Sequence, residues 1–516
     1  MSFMQNMKQM LNEEYNTALT ENGAIAYKTS GKALLDLNFR VSSFRNESEE
    51  TIVNEFVKAY YENPELALRW MFFAGDIREG LGERRLFKTL FLYLAQNHRE
   101  IAKALMPLIP EYSRWDIVVE LINTALAEEI VAMIQKQLKE DHIHMEQGKS
   151  ISLCAKWLPS ENASSKEKKR FASILAKKLS MTKKQYRQTL SVYRKYLNLV
   201  EIMMSNRKWA EIDYEKVPSR ANLIYNHAFL RNDEYRRRAF LEAVKKGEKK
   251  LHAAVLYPHD IVHNYFQRSV WTERLLPKDD ALEELWKALP DYVQGNGNTL
   301  CVADGSGSMV SSIGKTTITC LEVADALAIY FAEHCRGQFH NCYITFSENP
   351  QFVDLSNGKT LHDKIEITLN YHKAENTNIQ AVFNLILDTA VKNHMAKEEI
   401  PKNILILSDM EFDMATKVNE NNQWVSPKKK LFHVIAKEYQ KKGYDLPRLI
   451  FWNICSRTNT IPVKENDLGV ALVSGFSPTI MKMVLSNEID PYKLLIDQLM
   501  KPRYDAIGFA LKSIEI

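Results

Sequence analysis

The chain has 516 residues, 45% of them hydrophobic and 26% charged, with a net charge of +4. That is the balance of an ordinary globular protein too long for one core. No stretch reaches the ~20 uncharged apolar residues of a membrane span, the opening MSFMQNMKQMLNEEYN lacks a signal-peptide core, and six cysteines without CxxC spacing set zinc aside. The expectation is a cytoplasmic protein with reduced thiols and no membrane partner.

Residues 1–290 read as helices. ETIVNEFVKAYYENPELALRWMFFAGDI holds two amphipathic stretches, with Pro64 opening the second. GERRLFKTLFLYLAQNHREIAKALMPLI continues the pattern. SSKEKKRFASILAKKLSMTKKQYRQTLSVYRKYLNLVEIMM predicts two more helices, broken near Ser180–Thr182 with Thr182 as N-cap. Many helices of ~10–18 residues on short loops predict an array of the solenoid kind, although no clean repeat is present.

Charge gathers in this half. Residues 161–260 carry 23 Lys and Arg against 11 Asp and Glu, a net of +12 that leaves −8 for the rest of the chain. One basic face able to meet phosphate is expected. Lys183, Lys184, Arg187, Arg194 and Lys195 are its candidates, and Arg236, Arg237 and Arg238 extend it. Tyr186, Tyr193 and Tyr196 are interleaved among them, either to stack on unpaired bases or to fill the core.

KALPDYVQGNGN (287–298) is a linker, and the periodicity changes after it. Strand-like runs now alternate with helices: TLCVAD (299–304), FHNCYITFS (339–347), QFVDL (351–355), NILILSD (403–409), RLIFWNI (448–454) and GVALVS (469–474). That order predicts a doubly wound, mostly parallel sheet. QFVDL follows its predecessor too closely for a crossover, so it is expected as an antiparallel edge strand. The domains predicted are 1–290, all-α, and 291–516, α/β.

CVADGSGSMVSSIGKTTITC (301–320) admits two readings. Its GKTT tail resembles the end of a phosphate loop, but Met309 stands where that loop needs its first glycine, so no nucleotide is expected. Its head places Asp304, Ser306 and Ser308 just after a buried strand and before an amphipathic helix, the usual ligand position in an open α/β sheet. One carboxylate with two hydroxyls offers only oxygen ligands, which suits a hard cation such as Mg²⁺. Two more loops can complete such a site: Thr377 precedes the amphipathic run from Ile379, and Asp409 ends the strand NILILS. The same residue types also serve as turn caps. Glu411 and Asp413, nearby, read as solvated or loop-bonding groups rather than ligands.

With Asp304, Ser306, Ser308, Thr377 and Asp409 in this order, residues 298–500 resemble a von Willebrand factor A domain with a metal-ion-dependent adhesion site. The resemblance implies that Ser306, Ser308 and Thr377 contact Mg²⁺ and that Asp304 and Asp409 bind it mostly through water. It also implies one coordination position left for a partner's carboxylate. Gly305 departs from the aliphatic residue common there. MFFAGDIREGLGERRLFKTLF (71–91), RWDIVVEL (114–121), LCAKWLPSENA (153–163) and LSMTKKQYRQTLSVYRKYLNLVE (179–201) resemble an uncharacterised bacterial, phage and plant family joining such helices to an A-type domain. That architecture is similar to the Ro ribonucleoprotein (TROVE) family, where HEAT-like repeats close into a ring and bind small structured RNAs and single-stranded ends. The resemblance implies a HEAT-like array before the A-type domain, and RNA as partner. A metal-dependent protein-binding adaptor, or a phage or host assembly component without RNA, remains the alternative. No histidine pairs with a nucleophile in the pattern, so no catalysis is expected.

Overall fold

The structure is a computed structural model, and it describes residues 15–21, 25–268, 273–293, 298–346, 350–372, 379–411, 418–420, 423–425, 431–461, 470–477 and 490–512, with the single positions 4, 7, 480 and 514. The architecture is α plus α/β. Among the described residues the strands are β1 (Thr17–Leu19), β2 (Ile25–Tyr27), β3 (Phe266–Arg268), β4 (Glu273–Leu275), β5 (Thr299–Asp304), β6 (Cys342–Phe346), β7 (Gln351–Asp354), β8 (Asn403–Ser408), β9 (Val418–Glu420), β10 (Gln423–Val425), β11 (Arg448–Asn453) and β12 (Ala471–Ser474).

The chain compacts into two units, Met1–Ala67 with Leu256–Met500 and Leu68–Val255 with Lys501–Ile516. This differs from the expected boundary at 290/291. Helical periodicity says that a segment is a helix and not what the helix packs on, and both chain ends pack away from their sequence neighbours.

In the first unit a six-stranded sheet runs β12-β11-β8-β5-β6-β7. All neighbours are parallel except β6 and β7, which pair antiparallel as the short connection required. β5, β8, β11 and β12 are near-continuously buried, as strands covered on both faces must be. The Cys320–His334 helix packs on β5, β6 and β8, and the Ala33–Phe39 and Pro491–Leu499 helices pack on β12. From β5 the chain adds strands on one side, through β6 to β7, then returns to β8 and adds β11 and β12 on the other. The order therefore reverses between β5 and β8, where an open sheet leaves a crevice at the carboxyl ends of its strands.

The amino-terminal segment is part of this unit. Tyr27 and Ile461 exchange two backbone hydrogen bonds of 2.9 Å. Asn453 donates to Phe39 O at 2.8 Å, and Ser42 Oγ lies 2.8 Å from Ser474 Oγ. The sequence pattern predicts helix here, and β1–β2 and β3–β4 are short antiparallel hairpins instead.

The second unit is all-α among its described residues. Its helices include the Pro64–Gly75 helix from Leu68 on, and the pair Lys166–Lys178 and Lys183–Tyr196. Thr182 caps the latter in a capping box with Gln185, and Ser180 takes the left-handed backbone (φ 58°) that breaks the two apart. Arg503 and Tyr504 are pinned here by buried Asp76. Arg503 grips its carboxylate, with Nη2 at 2.8 Å from Oδ1 and Nε on Oδ2, and Tyr504 Oη donates to it at 3.2 Å. Tyr112 stacks on Tyr504 at 5.8 Å and donates to Arg503 O. Replacing Arg503 by Ala leaves Asp76 buried without its cation, so the helical unit is expected to lose roughly 3–5 kcal/mol. Denaturant unfolding followed by far-UV circular dichroism checks this as a shift of the helical transition alone.

Candidate cation site and candidate nucleic-acid interface

Asp304 ends β5 and Asp409 follows β8, so the reversal of strand order brings the two carboxylates to one sheet edge. Both are buried, at 1% exposure. The two loops are cross-linked reciprocally. Ser408 Oγ donates to Asp304 Oδ2 at 2.6 Å, and the Ser308 hydroxyl bonds Asp409. Ser306 N donates to Asp304 Oδ1 at 2.9 Å, and the Ser306 and Ser308 hydroxyls lie 2.9 Å apart. Four of the five predicted ligands thus share one cluster, and Thr377 lies outside the described residues.

The loop after β5 is fixed from several sides. Ile313 N bonds Ile318 O at 2.9 Å and Cys320 N bonds Ser311 O at 3.1 Å, which makes GKTT the tip of a tight turn. The helix starts only at Cys320, capped by Thr319 and Glu322, so the lysine does not run into a helix as a phosphate loop requires. Gly314 (φ +60°) donates to Asn46 Oδ1 at 2.6 Å. His263 bridges Glu322 (2.8 Å) and Thr317 (3.2 Å), a pin that sequence spacing gave no sign of. A Cβ at Gly305 would meet nothing within 4 Å among the described residues, so the glycine is not required there by close packing.

Electrostatics test whether these residues suit a cation. Burial pushes the Asp304 carboxyl up to about 7, helped by the charge of Asp409 and opposed by Ser408 and Ser306. Burial also raises Asp409, against the hydroxyl of Ser308. Two neighbouring carboxyls held above their ordinary range report a local shortage of positive charge. An all-oxygen set with that shortage fits a hard divalent ion. Among the described residues no group of three or more His, Cys, Asp and Glu could hold a metal, so hydroxyls would have to complete the shell. Glu411 is loop-bonding rather than solvated: it is fully buried and accepts from Ser456 Oγ, Arg457 N and Thr458 N at 2.9–3.1 Å. Asp413 lies outside the described residues.

The basic candidates divide. Lys183, Lys184, Arg187 and Lys195 are exposed on one helix, and so is Arg238, which pairs with Glu234 at 2.8 Å. Arg237 is corrected, while Arg194 and Arg236 are half-buried and bonded to their own unit, Arg236 with 40% of its side chain exposed. Arg194 donates to Ala155 O (2.8 Å), Leu158 O (2.6 Å) and Ser160 Oγ (2.6 Å), which holds the loop before the basic helices. Arg236 holds Trp209 O and Ile212 O at 2.9 and 2.7 Å. Arg237 is fully buried, bonded to Asn222 and Asn226 and set against the rings of Tyr214, Phe229 and Phe240. Their planar donors satisfy buried carbonyls and amides that would otherwise cost free energy. Tyr186 and Tyr193 take the core alternative, their hydroxyls donating to Pro159 O and Leu138 O at 2.8 Å. Sequence reading missed the partner helix: Lys166, Lys168, Lys169, Arg170, Lys177 and Lys178 are all exposed on Lys166–Lys178, which packs beside Lys183–Tyr196.

An all-α unit with a lysine-rich helix pair, and a doubly wound unit with buried carboxylates at its switch point, define the class of protein. Residues 20–110 and 122–299, more than half of the chain, match a family described as a domain of unknown function (DUF2828), and the chain belongs to that family. Residues 298–497 match a second, also described as a domain of unknown function (DUF7788). The chain is 27% identical over 524 residues to "Uncharacterized protein L728" of Acanthamoeba polyphaga mimivirus, covering 94% of this chain and 87% of that one. The crystal structure of the Deinococcus radiodurans Ro (RSR) protein aligns with 87% of this chain and 98% of its own, at 15% identity and a TM-score of 0.46.

Asp304 holds a proton in the folded chain that it gives up in the unfolded one, since its folded pKa is raised from 3.8 to about 7. Stability is therefore lost as pH climbs through that window and not regained above it. Without divalent cations, Asp304→Asn should melt higher than wild type at pH 8, by of order 2 kcal/mol, and the gap should close toward pH 4. Adding Mn²⁺ at pH 8 should raise the melting temperature of wild type only. Thermal melts with a chelator and with Mn²⁺ check both arms.

Proposed function

We propose that the chain is a non-catalytic, Ro-like RNA-binding protein whose α/β unit is a von Willebrand A-type domain holding Mg²⁺. The observation that carries the RNA reading is the exposed helix pair. Between 165 and 196 there are eleven Lys and Arg against a single glutamate, and all eleven but Arg194 are exposed. Such a surface binds phosphate, and its affinity comes from counterion release rather than base readout. With Tyr186 and Tyr193 buried, stacking on unpaired bases is not its main resource. A small structured RNA, recognised by backbone and shape, suits it better than a single-stranded end.

The metal half of the reading rests on the buried Asp304–Asp409 edge with its serines. Asp304, Ser306, Ser308 and Asp409 would hold the ion, with Thr377 as the fifth candidate. When bound, the ion supplies a positive centre that a partner's carboxylate can complete. None of the six cysteines forms a disulfide, which fits the cytoplasm. No helix among the described residues is long and apolar enough to cross a membrane.

Replacing Lys183, Lys184 and Arg187 together by Gln should flatten the salt dependence of binding to a structured RNA by about two log units per log unit of salt. Protein stability should stay within roughly 0.5 kcal/mol of wild type, since the three are exposed. Arg194→Gln is the opposite control: it should cost roughly 2 kcal/mol of stability by removing the donor to three part-buried acceptors, with little change in salt slope. Salt titrations by fluorescence anisotropy and parallel melts check the pair, and equal slopes for the triple variant and wild type would sink the RNA reading.

A further inference from the structure

The loop after β11 carries a cation of its own to the Asp409 edge. Glu411 organises it, accepting from Arg457 N and Thr458 N at 2.9 Å and, across the fold, from Glu21 N at 2.8 Å. With its backbone held there, the Arg457 guanidinium lies between two carboxylates. Its Nη2 is 3.6 Å from Asp409 Oδ2 and in direct contact with Glu21. The Asp409 side chain is 2% exposed, while Arg457 is 36% exposed and Glu21 50%. The guanidinium thus has its inner side on a buried candidate ligand and its outer side open to an incoming molecule.

We propose that Arg457 is the charge gate of the cation site and the second contact for the acidic side chain that completes it. The proposal rests on reading the Asp304–Asp409 edge as a cation site. A guanidinium that shares Asp409 repels a divalent ion arriving alone. An ion that arrives with a carboxylate is treated differently, because the planar donors of Arg457 can bond that carboxylate in a charge-assisted way. Glu21 is the counterweight, since it draws the guanidinium outward and relieves Asp409. The ligand class selected is a protein carboxylate held by ion and arginine together.

The test uses Mn²⁺ as the ion and acetate as the carboxylate, by isothermal titration calorimetry on the full chain. Arg457→Gln should bind Mn²⁺ alone roughly tenfold more tightly than wild type. Arg457→Lys, which keeps the charge, should stay near wild type. Glu21→Gln should bind roughly threefold more weakly, because its loss returns the guanidinium to Asp409. Acetate should tighten Mn²⁺ binding in wild type and not in Arg457→Gln. Equal Mn²⁺ affinity in wild type and a folded Arg457→Gln, or an acetate effect that survives the substitution, overturns the gate and leaves the cation reading standing. No Mn²⁺ binding by wild type or any variant overturns both.

Discussion

Two carboxylates buried side by side where the sheet reverses its strand order are the constraint on which the α/β unit depends. Asp304 and Asp409 end the two central strands, and Ser308 and Ser408 cross-link their loops. Burying an acid costs several kcal/mol unless donors surround it. Here a backbone N–H and a hydroxyl serve Asp304, while the N–H of Glu411, a hydroxyl and Arg457 serve Asp409. These offset the cost only in part, since both carboxyls stay raised. Apolar residues at these positions would stabilise the sheet more. A pair kept at such expense, in a crevice, is what makes this edge the candidate site.

Buried acids also decide which parts of the chain belong together. Glu411 collects donors from the loop after β11 and from Glu21, 390 residues away. Asp76 collects Arg503 and Tyr504 from the end of the chain, more than 400 residues away. In each case one carboxylate, unable to remain buried unpaired, adds a polar anchor to a terminal segment that also buries apolar side chains, among them Leu35 and Phe39 in one and Ile507 and Leu511 in the other. The discontinuous units follow from this. A division made by periodicity at residue 290 does not follow these compact units, although the two family matches meet near it at 298–299, because a hydrogen-bonding acid leaves no periodic trace in sequence.

What the sequence showed well was local. All six strands of the main sheet, the antiparallel edge and the Thr182 cap follow from short-range pattern. Four ligand candidates followed from their position at strand ends, which is itself local. The basic face was harder. Arg187 and Arg194 stand on one helix seven residues apart and look equivalent in sequence, yet only Arg187 is exposed. Arg194 is claimed by carbonyls of a loop nearly forty residues upstream. Arg237, flanked by two arginines, reads as part of a charge run and is core, because Asn222, Asn226 and three rings surround it. Arginine is the basic residue whose planar donors suit such burial, whereas lysine rarely finds partners enough. Lysine-rich runs are therefore the safer indicator of a free surface, and Lys166–Lys178 is the element that this rule would have singled out.

On the proposed function, the two units would respond to divalent cations with opposite sign. Around the lysine-rich helices a divalent ion would compete for phosphate and weaken a complex built on counterion release. At the Asp304–Asp409 edge the same ion would neutralise charge that burial leaves uncompensated, and so stabilise the fold that binds it. On that reading a polyanion and a metal would act through separate chemistry: one through exposed, screened, individually weak charges, the other through a few buried groups at fixed distances. Exposed lysines can change in number with little effect on folding. The buried pair cannot, because each of its members is held by the loop of the other. Within one chain, the metal-suited edge is therefore the rigid element and the basic face the adjustable one.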